Sequence, residues 1–284
     1  MTLTTRFAPS PTGPLHLGHA FSALTAHVMA QAAGGTFHLR IDDLDQSRSR
    51  PEWEVQIYDD LHWLGLDWPT PVLRQSDRLP RYRDALELLW KQGLLYPCSC
   101  SRADIRAAAS APQEGAPLHG PDGVIYPGTC RPKSPPTGSM PESPLRLDMA
   151  RALACLEMPL SFTETGEGPE GETGTISPQN MAQTVGDVAL ARPGMGASYH
   201  LSVVCDDADQ AITHVIRGQD LFTATQIHVL LQRLLNLPTP IYHHHRLIRD
   251  HEGRRLAKRD DARAIATYRA MGKTPDDIRR MLDL

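Results

Sequence analysis

Two hydrophobic periods alternate along the first hundred residues. TTRFA (residues 4–8) reads as a short strand, and TFHLRID (36–42) alternates apolar and polar positions as a second strand. Between them FSALTAHVMAQAA carries the helical period and stops at Gly34-Gly35, which stand in the C-cap role. Strand, loop, helix and strand within about forty residues open a parallel α/β sheet. PEWEVQIYDDLHWLGL follows amphipathically with Pro51 at a first-turn position, and RYRDALELLWKQGLL is a further helix that stops near Gly93.

From about Pro97 to Ala197 the texture changes to Pro, Gly, Ser and Thr, with short strand-like pieces in PLRLDMA, PLSFTET and VGDVALAR. This segment reads as an irregular, antiparallel insertion. SYHLSVVCDDADQAITHVIRGQDL is expected to resume strand and turn character, FTATQIHVLLQRLLN is a helix, and IYHHHRLIRD is a strand leading into the loop HEGRRLAKRDD. The expected organisation is a first half of an α/β domain over 1–96, an insertion over 97–197 and a second half over 198–284. No internal repeat is visible.

Composition adds limits. Hydrophobic residues make up 40% and charged residues 22% of 284, as in ordinary globular chains. MTLTTRFAPSP has no basic stretch followed by an apolar one, and no apolar run is long enough to span a bilayer, so a cytoplasmic protein without a membrane partner is expected. The five cysteines are too few for a disulfide framework; Cys98, Cys100 and Cys130 cluster as a metal site would, whereas Cys155 and Cys205 read as core thiols. A net charge of −4 excludes general polyanion binding, so nucleic acid would need a local basic patch. Candidates are Arg74, Arg78, Arg81 and Arg83, and the stretch from Arg246 to Arg263.

The chemistry starts in RFAPSPTGPLHLGHA (6–20), a loop between a strand end and a helix start, where α/β proteins bind phosphates. Its prolines stiffen it, while Gly13 and Gly18 allow close backbone approach. His16 and His19 can donate to phosphate oxygens whose charge grows in a transition state, or can simply pack and cap the helix. A second basic element, RRLAKR (254–259), offers a lysine that can close over a triphosphate, or is a solvated turn. Together the two point to nucleotidyl transfer, in which catalysis is mainly positioning and charge stabilisation. GEGPEG (166–171) matches a dinucleotide pattern but carries acids that repel pyrophosphate and opens no helix. The tract HHH (243–245) reads as structural, with His244 on the face opposite its neighbours. Three thiolates at this spacing suggest tetrahedral zinc, with His119 the fourth ligand by chemistry alone; the alternative is three unliganded cysteines.

RFAPSPTGPLHLGHA, GGTFHLRIDDLD, GDVALAR, SYHLSVVCDD and VIRGQDL, in this order, resemble the catalytic domain of class I glutamyl-tRNA synthetases. His16-Leu17-Gly18-His19 matches their HIGH signature, and Arg255-Leu256-Ala257-Lys258-Arg259 matches the KMSKS loop. The brevity after that loop resembles the shortened paralogous family, the glutamyl-Q tRNA(Asp) synthetases, and no anticodon-binding domain is expected. The resemblance implies a Rossmann-like class I α/β catalytic domain with a zinc-bearing insertion. It further implies ATP-dependent activation of L-glutamate without tRNA, with Mg2+ assisting, and transfer of glutamate to queuosine in the anticodon stem-loop of tRNA(Asp). A monomer is expected.

Carried over by residue, the resemblance implies a glutamate site of Arg6, Phe7, Ala8, Pro9, Ser10, Asp42, Tyr199 and Arg217. Arg217 would hold the side-chain carboxylate bidentately, and Asp42 the ammonium. It implies an ATP site of His16, Gly18, His19 and Lys258, with His16, His19 and Lys258 catalytic. The zinc site implied is Cys98, Cys100, Tyr126 and Cys130, so Tyr126 replaces His119. Three positions depart from the family pattern: Asp42 stands for the glutamate of RIED, Arg255 for the first lysine of KMSKS and Ala257 for its serine. Three other readings remain: a short glutamyl-tRNA synthetase acting on a tRNA 3′ end, a different H-x-G-H nucleotidyltransferase, against which the glutamate-site matches argue, and a non-enzymatic binding module descended from a synthetase.

Overall fold

β1 (Thr4–Phe7), α1 (Leu17–Ala32) and β2 (Thr36–Ile41) form the first strand–helix–strand unit of the computed structural model, which describes residues 2–109, 119–249 and 263–284. β1 and β2 are parallel, with Thr5 opposite Phe37 and Phe7 opposite Leu39. α1 is capped at its start by His16 and ends where Gly34 adopts a φ of +61°, a left-handed conformation that side chains resist. α2 (Pro51–Trp63) begins on its proline, and β3 (Leu73–Arg74) joins the outer side of β2 in parallel. α3 (Leu79–Lys91) follows.

The middle of the chain runs through β4 (Leu95–Pro97), α4 (Arg102–Ala109), a small hairpin of β5 (His119–Gly120) and β6 (Gly123–Val124), then β7 (Leu145–Leu147) and α5 (Met149–Ala154). β8 (Phe162–Glu164), β9 (Gly174–Ile176), α6 (Met181–Thr184) and β10 (Ala189–Ala191) complete it. β7 sits between β4 and β10 in an antiparallel sheet.

The last part contains α7 (Tyr199–Asp209), β11 (His214–Gly218), α8 (Thr225–Leu234), β12 (Ile241–His245), α9 (Ile265–Ala270) and α10 (Pro275–Met281). β11 and β12 are parallel, β8 continues that sheet in parallel, and β9 closes it antiparallel to β8. Strand segments from the middle of the chain thus enter two larger sheets besides the β5–β6 hairpin.

Two expectations are corrected. Residues 199–209 are helical rather than strand and turn. Ser198 caps this helix by accepting from Leu201 N. Every side chain from His200 to Asp207 is buried, so no polar face marks the helical period, and the Val203-Val204 pair imitates a strand. Cys155 is exposed just beyond the last turn of α5, whereas Cys205 is buried on α7, where desolvation pushes its thiol up to about 12.

Among the described residues, two large apolar cores and a small third one around Tyr96 and Tyr126 hold the layers together. One large core packs β1, α1, β2 and α2 with Ile265 of α9 and Ile278 of α10; the other joins α3, β4, β7, α7, α8 and β12. Each fully buried Leu or Ile contributes about 1.5–3 kcal/mol.

Candidate active site

The parallel sheet of β1–β3 and the mixed sheet of β11, β12, β8 and β9 meet at β1 and β11. Thr213 N donates to Thr4 O at 3.0 Å, and Thr4 N donates to Thr213 Oγ1 at 2.8 Å. From this seam the strand order runs outward both ways, through β2 and β3 on one side and β12 and β8 on the other. Such a switch point leaves a crevice at the carboxyl ends of its strands. A pocket of about 260 Å³ opens there, lined by Arg6, Phe7 and Ala8 after β1, His16, Gly18 and His19 at the start of α1, Arg40 and Asp42 of β2 and its end, Tyr199 of α7 and Arg217 of β11. Pro9 is buried and Ser10 exposed, and neither is among the lining residues. Pro9 O instead accepts from Asp42 N at 3.0 Å, tying the loop to the acid. Lys258, with Arg254, Arg255 and Ala257, lies outside the described residues.

His16 and His19 form a capping box. His16 Nδ1 accepts from Gly18 N at 3.1 Å, and His19 Nδ1 accepts from His16 N at 3.2 Å. The rings stack with centroids 3.7 Å apart. Because each Nδ1 is an acceptor, the neutral imidazoles carry their protons on Nε2, which makes both rings donors. Capping and donation to a ligand, weighed in the sequence as alternatives, are therefore compatible. Gly18 has no room to spare: a Cβ there would stand 3.1 Å from His16 Cε1 and 3.2 Å from its Nδ1.

Below the histidines lies a buried ion network. Arg6 donates from Nε and Nη2 to the two carboxylate oxygens of Asp207, at 3.0 and 3.3 Å. Arg40, fully buried, donates from Nε to Asp42 at 2.9 Å and from Nη1 to Asp207 at 2.6 Å, while its Nη2 has no partner among the described residues. Burial opposes the charge of Asp207, but Arg6 and Arg40 outweigh it and hold the carboxyl below its usual range. For Asp42 burial wins over the attraction of Arg40 and raises the carboxyl to about 6.

Arg217 is bound inward. It donates from Nε to His244 Nε2 at 3.0 Å, from Nη1 to His228 Nδ1 at 3.1 Å, and from Nη2 to Thr225 Oγ1 at 2.7 Å and Leu221 O at 3.2 Å. Of its five N–H groups, one on Nη1 remains for the pocket. The bidentate grip expected from the sequence requires breaking one of these bonds.

At the start of the middle segment, the sulfurs of Cys98, Cys100 and Cys130 lie within 4.8 Å of one another. The Tyr126 hydroxyl is 3.4 Å from Cys98 Sγ and 3.5 Å from Cys100 Sγ. Tetrahedral zinc with three thiolates and one oxygen places sulfurs about 3.8 Å apart and oxygen about 3.5 Å from each, so the set fits the ion. Hydrogen bonding to Tyr126 lowers the Cys130 thiol to about 7, and Arg146 donates from Nε to Cys98 Sγ at 3.3 Å. His119 is not in this group; it pairs with Val124 in the small hairpin.

The first basic patch is neutralised. Arg74 pairs with Glu54, Arg78 with Asp206 and Asp209, Arg81 with Asp209, and Arg83 with Glu87 and Glu142. Most of these acids come from distant segments, so the run of arginines in sequence gave no sign of them. In the second patch Arg246 pairs with Asp283, and residues 250–262 lie outside the described part.

Sequence reasoning missed Arg40, Asp207, His228 and His245. Arg40 and His245 line the pocket directly. Arg40 falls on the polar positions of the TFHLRID alternation, so the pattern gave no sign that it would be fully buried. Within HHH, His244 is buried against Glu164, while His245 bonds Ser22 at 2.7 Å, so its role goes beyond packing.

Residues 2–120 and 172–284 match the family model for tRNA synthetases class I (E and Q), catalytic domain. The chain is 63% identical over 284 residues to the glutamyl-Q tRNA(Asp) synthetase of Rhodobacter capsulatus, covering 99% of this chain and 100% of that protein. It is 42% identical to the enzyme of the same name from Symbiobacterium thermophilum, covering 96% and 83% respectively. The structure of a glutamate tRNA ligase from Elizabethkingia meningosepticum, in complex with its amino acid, superposes with a TM-score of 0.70 at 30% identity. The match covers 92% of this chain but 52% of that one, so the chain spans about half the length of that ligase.

Proposed function

Because the chain belongs to the glutamyl-Q tRNA(Asp) synthetases, within the class I catalytic family for glutamate and glutamine, we propose that it activates L-glutamate with ATP and transfers it to queuosine in tRNA(Asp). The observation that carries this reading is one pocket at the β1–β11 switch point lined at once by His16, His19, Asp42, Tyr199 and Arg217. The glutamate α-carboxylate attacks the α-phosphate of ATP, forming glutamyl adenylate and releasing pyrophosphate. The Nε2–H groups of His16 and His19 meet the phosphate oxygens as their charge grows. Lys258 is assigned to the leaving pyrophosphate on the family motif alone.

Asp42 takes the substrate ammonium and the remaining Nη1 N–H of Arg217 takes the side-chain carboxylate, with Tyr199 closing the wall. Arg6 acts by holding Asp207, which in turn anchors Arg40 behind Asp42. A hydroxyl of the modified base then attacks the adenylate carbonyl and expels AMP. Magnesium would come bound to the triphosphate and neutralise its charge. Cys98, Cys100, Cys130 and Tyr126 would hold zinc, which would supply a structural cross-link at the base of the middle segment. The partner surface is the anticodon stem-loop, the acting unit a monomer, and the setting the cytoplasm.

The deciding experiment is pyrophosphate exchange into ATP with glutamate and no tRNA, with glutamine as control, followed by transfer of labelled glutamate to tRNA(Asp) with and without queuosine. Label on queuosine-containing tRNA alone is expected. Label at a tRNA 3′ end identifies a short glutamyl-tRNA synthetase, and binding without exchange identifies a non-enzymatic module.

A further inference from the structure

The contacts of Arg217 fix proton positions well beyond the pocket. A guanidinium has no acceptor, so the two ring nitrogens that face it, His244 Nε2 at 3.0 Å and His228 Nδ1 at 3.1 Å, must both be bare. The proton of His244 is then on Nδ1, 2.5 Å from Glu164 Oε2. The proton of His228 is on Nε2, 3.1 Å from His200 Nδ1, which accepts it. His200 therefore carries its own proton on Nε2, 3.4 Å from Asp122 Oδ1. Every link has one donor and one acceptor, and the whole chain closes only when all three imidazoles are neutral.

We infer that His228, His200 and Asp122 on one side, and His244 and Glu164 on the other, are positioning residues that hold Arg217 with a single Nη1 N–H turned toward the amino-acid pocket. Both ends of the relay are carboxylates that are themselves anchored. Glu164 also accepts from the backbone N–H groups of His244 and Gly166, each at 2.8 Å. Asp122 accepts from Arg192 Nη2 at 3.0 and 3.2 Å. Burial and the neighbouring Arg217 charge push His228 well below the usual imidazole range, in keeping with a neutral ring.

The relay also leaves the catalytic layer. Asp122 sits in the turn between β5 and β6, four residues before Tyr126 of the cysteine cluster. The orientation of the glutamate-facing arginine is thereby tied to the segment that carries the candidate zinc site.

This inference rests on the proposed glutamate pocket, so its test has one arm that does not. Long-range proton–nitrogen correlation spectra of the 15N-histidine-labelled full chain at pH 7.5 should show Nε2–H tautomers for His228 and His200 and the Nδ1–H tautomer for His244. In glutamate-dependent pyrophosphate exchange, Asp122→Asn should raise the glutamate KM about three- to tenfold and leave kcat and the ATP KM within about twofold, because a carboxylate contact two links away orients binding rather than chemistry. His228→Ala should raise that KM further, and His228→Asn, whose Oδ1 can replace Nδ1 as acceptor, should recover part of the loss. A cationic or Nδ1–H His228, or an unchanged glutamate KM in Asp122→Asn, overturns the relay. Absence of glutamate-dependent exchange by the unmodified chain overturns the proposed function instead, and the tautomer spectra still decide the relay.

Discussion

Arg40 Nε stands 2.9 Å from Asp42 Oδ1, so the acid proposed to take the substrate ammonium already has a cation behind it. Burial nevertheless dominates and brings the Asp42 carboxyl to about 6. The carboxylate is the form that holds an ammonium, so affinity should be full well above pH 6 and fall as the pH drops through it. The glutamate KM, measured by pyrophosphate exchange between pH 5 and 8, should rise about tenfold per pH unit below 6 while the ATP KM stays flat. Asp42→Asn should abolish this acid limb and bind glutamate poorly at every pH. A glutamate KM independent of pH across that range would remove Asp42 from the site.

Gly18 leaves the His16 ring barely enough space. The Cβ of an alanine would come within 3.1 Å of His16 Cε1, closer than ordinary contact, and the ring must yield by a few tenths of an ångström. His16 both caps α1 and carries one of the two Nε2 donors, so a small tilt misplaces a donor without unfolding the helix. Gly18→Ala should lower kcat about ten- to a hundredfold, at or below the loss expected for removing one donor to a transition-state oxyanion. Its circular dichroism and melting temperature should remain close to those of the unmodified chain.

The cysteine cluster predicts metal content directly. Elemental analysis of the purified protein should give about one zinc per chain. Tyr126→Phe removes the only oxygen ligand proposed and should increase the rate of zinc loss to a chelator. Cys100→Ser should do so more strongly, because a hard hydroxyl replaces a soft thiolate. Metal removal should lower the melting temperature, and through the β5–β6 hairpin it should also raise the glutamate KM. A chain free of zinc when prepared without chelators counts against this ligand set.

Local signals made the scaffold legible. The strand, proline-stiffened loop and helix of residues 4–32 could be read because the period, the caps and the glycine stop all agree on one answer. The signature His16-Leu17-Gly18-His19 located the pocket for the same reason. α7 was illegible because a helix buried on all sides has no polar face, and its valines favour the wrong period. The network around Arg40 and the relay around Arg217 were illegible for another reason. Their members, such as Asp122, Glu164, Asp207 and His228, are scattered along the chain and are brought together only by tertiary packing. The arginines from Arg74 to Arg83 show the converse: a basic patch in sequence that distant acids neutralise in space.

One buried acid has no role in this chemistry and should weaken the fold. Asp60 of α2 is 1% exposed, and neither carboxylate oxygen has a partner among the described residues. Desolvation, assisted by the neighbouring Asp59, raises its carboxyl to about 6. In the unfolded chain the same group ionises near the ordinary aspartate value of about 3.9. Between these values the folded state binds more protons than the unfolded one, so stability falls as the pH rises from about 4 to 6 and is level beyond. Asp60→Asn keeps the shape and removes the charge. It should therefore stabilise the protein by about 1–3 kcal/mol at pH 7.5, and by about half as much at pH 5. Denaturant unfolding of both chains at the two pH values checks the size and the sign. An Asp60→Asn chain no more stable than the unmodified one at pH 7.5 would mean that Asp60 is solvated or paired in solution.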